Sequence, residues 1–323
     1  MPENRTLYYG KQAKKKAKQT VYWRKREQQA IKTEAQRDMD TVKDVIRVLN
    51  MMLDEIEKSI HSFIAKYGDF EGVPLSEAKK KIERFDADAF QEKAKQLVAD
   101  KDFSKEANKQ LKKYNTKLYV SREDFLKEQI RFAIDHATAI NEKQIKEHLE
   151  SSAAREAKRQ STILGKNMSS VRYKKAKAVV DQQYHGVLWS KRLWTNSEKM
   201  KKEVEKSVAN VVVRGSHPKE YVKDVRKHIK DVDMAGKKKT ESTKTLLLTE
   251  SARVQAQVMI DNFKEFDPDG EYEYIAKLDE RTSKVCRGLD GKRFKVKDAK
   301  VGVNFFPMHP NCRSSAALVP KKK

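Results

Sequence analysis

The sequence predicts a mainly α-helical protein, an elongated bundle of long amphipathic helices followed by a small, loop-rich C-terminal α+β module. Charged residues make up 37% of the 323 residues and hydrophobic residues 38%, a balance typical of long solvated helices. Eleven glycines and seven prolines are few for this length, so little in the chain interrupts helices. After residue 267 the apolar spacing changes from three or four residues to two, which marks a different module.

The charge balance indicates a polyanionic partner. The chain has 71 lysines and arginines against 47 acidic residues, a net charge of +24. Self-repulsion of this size opposes compaction unless an anionic partner neutralises it, and nucleic acid is the natural candidate. The alternative is that the lysine-rich helices only provide solvated surface.

Nothing in the sequence predicts export or membrane insertion. The first residues, MPENRTLYYGKQAKKK, lack the apolar core of a signal peptide, and no run of eighteen apolar residues occurs. With two cysteines and no secretory signal, a disulfide framework is not expected. We therefore expect synthesis in a reducing cytoplasm and no membrane span.

Residues 1–35 are predicted to form a basic N-terminal arm. Tyr22 and Trp23 interrupt its basic run, and their flat rings could stack on bases or fill a protein groove. The alternative is a solvated, partly disordered tail. The residues assigned to non-specific contact with double-stranded DNA are Lys11, Lys14, Lys15, Lys16, Lys18, Arg24, Lys25 and Arg26.

Residues 36–240 are predicted to form a helical body. Its first helix should end at Gly68, and Ser121 is a candidate N-cap for a later one. The aromatic patch at 184–194 is expected to be mainly core, and 235–240 a mobile linker. The apolar stripe of the first helix consists of Val42, Val45, Leu49, Met52, Ile56, Ile60, Phe63 and Tyr67.

Residues 241–323 are predicted to form the C-terminal module, with a helix over 241–265 and strands and loops over 271–320. Tyr272 and Tyr274 alternate with Glu271 and Glu273, which predicts a half-buried strand with the glutamates on the polar face of an edge. Asp290-Gly291 is typical of a hairpin turn.

Three short motifs in this module carry a family resemblance. They are Asp-Glu-Arg-Thr-Ser at 279–283, Leu-Asp-Gly-Lys at 289–292 and His-Pro-Asn-Cys-Arg-Ser at 309–314. In this order they resemble the Mu F-like head-morphogenesis domain of phage minor head proteins, in particular of phages of Gram-positive hosts. The residues of the signature are Asp279, Arg281, Thr282, Asp290, Gly291, Pro310 and Arg313.

The resemblance implies a structural protein of the virion. Such a protein enters the procapsid in few copies, lies in the capsid interior or at the portal vertex, and assists head morphogenesis and genome packaging or ejection. Its implied partners are the portal protein, capsid or scaffolding proteins, and double-stranded DNA bound without sequence preference. The resemblance implies no enzymatic activity, and we assign no catalytic residue and no cofactor beyond the zinc considered below.

Other functions fit fewer residues. Glu271-Tyr-Glu273, with Ser242-Thr243 upstream, is superficially similar to elements of ADP-ribosyltransferases. His309 and Asn311 are the basis for a metal-dependent nuclease, although the carboxylates that such a site needs are not nearby in sequence. A sequence-independent architectural DNA-binding protein explains the charge but not the C-terminal motifs.

Cys286, His309 and Cys312 are candidate ligands for a structural Zn²⁺. Thiolates and imidazole bind zinc well, but a structural site normally has four such ligands. Asp279, Asp290 or water would have to complete the coordination. The alternative is two small buried thiols and a histidine that is hydrogen-bonded to a backbone carbonyl.

Overall fold

The computed structural model describes residues 3–67, 122–214 and 243–319. It confirms the predicted fold class, a mainly helical chain with a small C-terminal α+β module. The predicted helix end at Gly68, the N-cap at Ser121 and the linker at 235–240 lie outside the described residues.

Five helices precede the first strand in these ranges. They are α1 (Glu3–Tyr67), α2 (Arg122–Ile163), α3 (Ser170–Ala178), α4 (Trp189–Arg214) and α5 (Thr243–Phe266). A 3₁₀ turn, Val179–Asp181, follows α3 directly, and Ser169 caps α3 by accepting a hydrogen bond from the backbone N–H of Arg172. None of the described helices is long and apolar enough to cross a membrane.

Helix α1 runs without a break through the predicted boundary at residue 35. Residues 3–35 are therefore the first half of a long helix, whereas we had considered a partly disordered tail. The predicted apolar stripe is buried from Val42 to Ile60, and the side chains of Phe63 and Tyr67 lie outside the description. Helical spacing alone thus located the core face of α1.

The chain divides into two compact units. One takes its described residues from Met1–Val42, Ile145–Trp189 and Thr245–Lys323, and the other from Lys43–Gln144 and Ser190–Lys244. Each unit combines segments that are distant in sequence, a grouping that linear composition does not show. The predicted boundaries at 35/36 and 240/241 are divisions along the chain, and they stay predictions.

The second unit has an apolar core of helical residues with polar bonds at its edge. Leu49 and Ile56 of α1, Ile130 and Ile134 of α2, and Val204 of α4 are all at most 5% exposed. The Trp194 indole N–H donates to Glu142 at 2.9 Å, and Leu193 is buried. This half of the aromatic patch therefore serves packing.

In the first unit, Asp38 links three helices. Its carboxylate accepts hydrogen bonds from His148 Nε2 of α2 and from Ser251 Oγ of α5, both at 2.7 Å. All three residues are at most 9% exposed. Because a buried carboxylate is costly without partners, these bonds fix how α1, α2 and α5 pack.

The C-terminal sheet has three antiparallel strands, β1 (Glu271–Ile275), β2 (Arg293–Lys295) and β3 (Ser315–Val319), in the order β2-β1-β3. The predicted strand at 271 exists, but its placement at an edge was wrong, because β1 lies between the other two. Both of its faces are largely buried, and Glu273 is only 8% exposed. Alternation in sequence missed this because a charged side chain from α1 covers the glutamate.

The hairpin expected at Asp290-Gly291 was also wrong. A short helix, α6 (Lys284–Leu289), separates β1 from β2, so the two residues connect this helix to β2. Gly291 adopts φ +76°, a left-handed conformation that favours glycine. The Asp-Gly pair thus predicted the local turn conformation correctly but not which two elements the turn connects.

One apolar cluster supports the module. Phe263 of α5, Tyr272 and Tyr274 of β1, and Phe305 before β3 are at most 2% exposed and belong to the same buried cluster. The Phe305 ring lies 4.9 Å from the Tyr272 ring, centroid to centroid. Burying large aromatic rings is strongly favourable, so this cluster holds the sheet and its loops on helix α5.

Candidate functional site

The motif residues lie in three loops at one end of the small sheet. Asp279 and Thr282 follow β1, Asp290 and Gly291 precede β2, and the segment from His309 to Arg313 precedes β3. Hydrogen bonds and an ion pair connect these loops, so motif residues that lie up to 34 positions apart form one continuous structure.

Asp279 connects the first and third loops. Its carboxylate accepts hydrogen bonds from both terminal nitrogens of Arg313, at 2.7 and 2.8 Å, and from the backbone N–H of Arg281 at 3.0 Å. The hydrogen bonds from Arg313 hold the pKa of Asp279 well below its usual range. Two-pronged arginine–carboxylate pairs fix orientation as well as distance, so this pair sets the geometry of both loops.

Thr282 tightens the same loop. Its hydroxyl donates to the Lys277 carbonyl at 2.6 Å and accepts from the backbone N–H of Asp279 at 2.7 Å. Arg281, the remaining polar signature residue of this loop, has an exposed side chain, and its backbone N–H is the group that bonds Asp279. The motif at 279–283 therefore acts as a compact hydrogen-bonded turn.

Asp290 connects the second loop to β1 and to helix α1. Its Oδ1 accepts from the backbone N–H of Ala276 at 2.9 Å and from Arg24 Nη2 at 3.0 Å. A Cβ at Gly291 would approach the same Arg24 nitrogen to 3.4 Å, and the positive φ would strain any side chain there. Asp290 and Gly291 thus allow Arg24 to reach the module.

Arg24 has a second acidic partner. Its Nε donates to Glu273 Oε1 of β1 at 3.0 Å. Arg26 bonds Glu27 at 2.8 Å, and its guanidinium lies 4.1 Å above the Trp23 ring. Two of the residues assigned to DNA therefore have protein partners, and their assignment to DNA stays a prediction.

The other members of the basic set differ in what the structure describes. Lys25 is exposed. Lys11, Lys14, Lys15, Lys16 and Lys18 lie in helix α1, but their side chains are outside the description.

Glu27 joins helix α1 to β3 and to α2. Its carboxylate is 0% exposed, and it accepts two hydrogen bonds from Arg159, at 2.8 and 3.0 Å, and one from Ser315 Oγ at 2.8 Å. Arg159 also bonds Glu156. Burial by itself would raise the pKa of Glu27, but Arg159 and Arg26 outweigh it and lower the pKa.

Cys286, His309 and Cys312 form a three-residue cluster. Cys286 Sγ lies 3.2 Å from His309 Nε2 and 3.6 Å from Cys312 Sγ, and all three ligand atoms lie within 4.8 Å of one another. Both cysteines are at most 5% exposed. The structure thus brings together the three residues that were predicted as metal ligands.

The histidine tautomer follows from its neighbours. His309 Nδ1 lies 2.9 Å from the Pro310 carbonyl oxygen, and because a carbonyl can only accept, Nδ1 carries the proton. In this tautomer Nε2 presents its lone pair to Cys286 Sγ, 3.2 Å away. A histidine that donates Nδ1–H to a carbonyl and keeps Nε2 open is oriented as metal-bound histidines are.

The pKa values of the two cysteines shift in opposite directions. The hydrogen bond between them lowers the pKa of Cys312 to about 6, while the same bond together with burial raises the pKa of Cys286 to about 12. The first ionisation of the pair is therefore easy and the second difficult. Two hydroxyls complete the surroundings: Tyr274 donates to Cys286 Sγ at 3.4 Å, and Ser314 Oγ lies 3.5 Å from Cys312 Sγ.

The two aspartates considered as extra zinc ligands bond elsewhere. Asp279 binds Arg313, and Asp290 binds Arg24 and the Ala276 N–H. Neither aspartate belongs to the three-residue cluster of possible metal ligands that is found among the described residues. Among the described residues, a fourth ligand from the chain would therefore be a neutral oxygen.

Asn311 anchors the third loop on helix α5. It adopts φ +58°, which asparagine tolerates better than most residues. Its backbone N–H donates to Thr249 Oγ1 at 3.1 Å, and its amide nitrogen lies 3.4 Å from Thr245 Oγ1. Within the motif, Pro310 supplies the carbonyl that orients His309, and Asn311 supplies the turn.

The residues considered for enzymatic functions have structural contacts. Glu271 pairs with Lys295 at 2.9 Å, and Glu273 pairs with Arg24 and, at 3.5 Å, with Arg293. His309 and Asn311 bond the loop and helix α5, as described above. These contacts account for both glutamates as parts of the sheet.

Sequence analysis missed Arg24, Glu27 and Arg159 as parts of this site. All three come from helices far upstream, and each looked like one charge among many on an amphipathic surface. One signal was present: Glu27 is the first acidic residue after the basic run that begins at Lys11.

Comparison with protein families finds one match. Residues 202–317 match the family described as "Phage Mu protein F like protein". The chain contains a Mu F-like region. Searches among curated proteins and among solved structures found no match.

The Mu F-like region supports a phage head protein. It runs from within α4 to within β3 and contains every residue of the predicted signature and the Cys286–His309–Cys312 cluster. Arg24 and Glu27 lie outside it, although they contact it, and Arg159, also outside, bonds Glu27. The Mu F-like module is therefore completed by helices that the family match does not include.

Proposed function

We propose that this chain is a minor head protein, incorporated into the procapsid near the portal, that assists head morphogenesis and genome packaging or ejection. The match of residues 202–317 carries the proposal. It is supported by the Asp279–Arg313 pair and the Asp290–Arg24 pair, which give the motif residues an architectural role in loops. In this role the virion is the site of action, and assembly takes place in the host cytoplasm.

We propose that its DNA contact is electrostatic and independent of sequence. The net charge of +24 supports this, as does the run of lysines in the first half of α1. Each neutralised phosphate releases condensed counterions, so affinity should fall steeply with salt. With about six phosphate contacts, affinity should fall on the order of a thousandfold between roughly 50 and 200 mM salt.

A matched pair of variants tests where this contact lies. The arm variant replaces Lys11, Lys14, Lys15, Lys16 and Lys18 by glutamine. The control has the same net charge as the arm variant because it also replaces five lysines by glutamine. These five are exposed and lie outside the arm: Lys143, Lys146, Lys158, Lys174 and Lys175. The slope of log affinity against log salt concentration for a short duplex should shrink by about 4.5 in the arm variant, since each of the five contacts contributes about 0.9.

The control should leave the slope nearly unchanged. Equal reductions in both variants would mean that the contact is diffuse and that the arm assignment is wrong. A wild-type slope near zero would remove the DNA contact from the proposal.

We further propose direct contact with the portal protein. The test mixes the purified chain with the portal oligomer encoded in the same genome and measures co-sedimentation at about physiological salt. Capsid or scaffolding protein from that genome serves as the comparison, because both are alternative partners. Binding to the scaffolding protein alone would contradict the proposed contact with the portal protein.

A further inference from the structure

The Cys286–His309–Cys312 cluster has the spacing of a metal site. In a tetrahedral zinc site with Zn–S of about 2.3 Å and Zn–N of about 2.0 Å, two sulfurs lie about 3.8 Å apart and sulfur and nitrogen about 3.5 Å apart. The corresponding distances here are 3.6 Å and 3.2 Å. Little movement of the three side chains would be needed to receive an ion.

We propose that Cys286, His309 and Cys312 bind one Zn²⁺, with an oxygen at Ser314 in the fourth position. Two thiolates balance the charge of the ion. Thiolate sulfur and imidazole bind zinc better than they bind harder divalent cations. Ser314 is 6% exposed, and its Oγ lies 3.5 Å from Cys312 Sγ, which makes it the hydroxyl next to the third ligand.

The surroundings are those of a structural site. Nδ1 of His309 is held by the Pro310 carbonyl, so the ring is already oriented. Tyr274 donates a hydrogen bond to Cys286 Sγ at 3.4 Å, which would stabilise a thiolate there. The ion would join α6 to the loop before β3, two segments whose Cys286–Cys312 and Cys286–His309 contacts are weak hydrogen bonds.

This inference is independent of the proposed role in the head. The zinc would stabilise the Mu F-like module whether or not the chain binds DNA or the portal. Its failure would leave a hydrogen-bonded thiol cluster in the same place.

The experiment uses the full chain without a histidine tag. After incubation with Zn²⁺ and gel filtration, elemental analysis should give about one equivalent of zinc per chain. Titration with Co²⁺ should produce thiolate-to-cobalt charge-transfer absorption and the d–d bands of tetrahedral coordination. Chelation should lower the melting temperature.

Matched variants separate the site from adventitious binding. His309→Asn should lose the zinc and the Co²⁺ spectrum, while His185→Asn, at an exposed histidine with φ +50°, should keep both. Cys286→Ser should lose the thiolate-to-cobalt band or weaken it strongly. Ser314→Cys should slow the loss of zinc to a chelator at least tenfold, because it supplies a third thiolate.

The outcomes that overturn the proposal are equally defined. The proposal is overturned if wild-type protein holds less than about a tenth of an equivalent after incubation and shows no Co²⁺ spectrum, with a melting curve that chelation does not change. Equal zinc in wild type and His309→Asn would also overturn it. The Co²⁺ titration of wild type decides the question even where a variant fails to fold.

Discussion

At the scale of single residues, Glu27 shows how helix α1 keeps a carboxylate in the interior. It has no exposed surface, and its two oxygens accept hydrogen bonds from Arg159, Arg26 and Ser315. A buried charge is stable only when such partners replace water. Removing the charge therefore leaves Arg159 and Arg26 partly uncompensated.

We expect Glu27→Gln to lower the free energy of unfolding by about 3 kcal/mol, the low end for a broken buried ion pair, because Arg159 keeps Glu156. Glu147→Gln is the control, since Glu147 is exposed on the same helix as Arg159 and should change stability by less than about 0.5 kcal/mol. Urea unfolding measures both. Equal effects would contradict the interior role of Glu27.

The same carboxylate predicts an acid dependence. Its pKa is lowered in the folded chain, so its contribution is fully present above its ordinary pKa of 4.5 and is lost as pH falls through the folded value. Glu34, paired with Arg155, shifts in the same direction. Wild type should therefore lose stability below about pH 4.5, and Glu27→Gln should lose less over that range. Parallel pH profiles for the two proteins would argue against this linkage.

At the scale of elements, helix α1 completes the C-terminal sheet. Arg24 bonds Glu273 of β1 and Asp290 before β2, and Glu27 accepts from Ser315 of β3. Two neighbours on the arm should therefore behave differently. Arg24 should serve the fold, while exposed Lys25 remains available to DNA.

We expect Arg24→Ala to lower the free energy of unfolding by about 1–2 kcal/mol, since it removes two partly exposed charge-assisted hydrogen bonds. Lys25→Ala should leave stability nearly unchanged and reduce the salt slope of DNA binding by about one. Urea unfolding and duplex titrations measure the two effects. The assigned roles would be wrong if Lys25→Ala lowered the free energy of unfolding and Arg24→Ala only reduced the salt slope of DNA binding.

Sequence patterns predicted the buried face of a helix correctly but not the surroundings of a central strand. The stripe from Val42 to Ile60 is local information, because helical spacing alone decides which face is buried. Glu273 shows the limit: its alternation predicted a solvated edge, but Arg24, 249 residues away, covers it. Likewise, the sequence supplied Cys286, His309 and Cys312 as candidates, while their distances depend on how helix α6 meets the loop before β3. Charged residues that look solvated in sequence become structural only through such long-range pairs.

At the scale of the whole molecule, the C-terminal module is part of a larger compact unit. Described residues of Met1–Val42 and Ile145–Trp189 belong to the same unit as the module. The family match begins only at residue 202, so Arg24, Glu27 and Arg159 lie upstream of it. The upstream helices therefore contribute residues to the structure of the C-terminal module as well as to the basic set assigned to DNA contact.

The composition of purified particles tests the proposed role in the head most directly. Quantitative mass spectrometry should be applied to procapsids and DNA-filled heads of the phage that encodes the chain, and to particles assembled without the portal. The account predicts the chain in both wild-type particles, in far fewer copies than the major capsid protein, and its loss when the portal is missing. Absence from both procapsids and filled heads would contradict it.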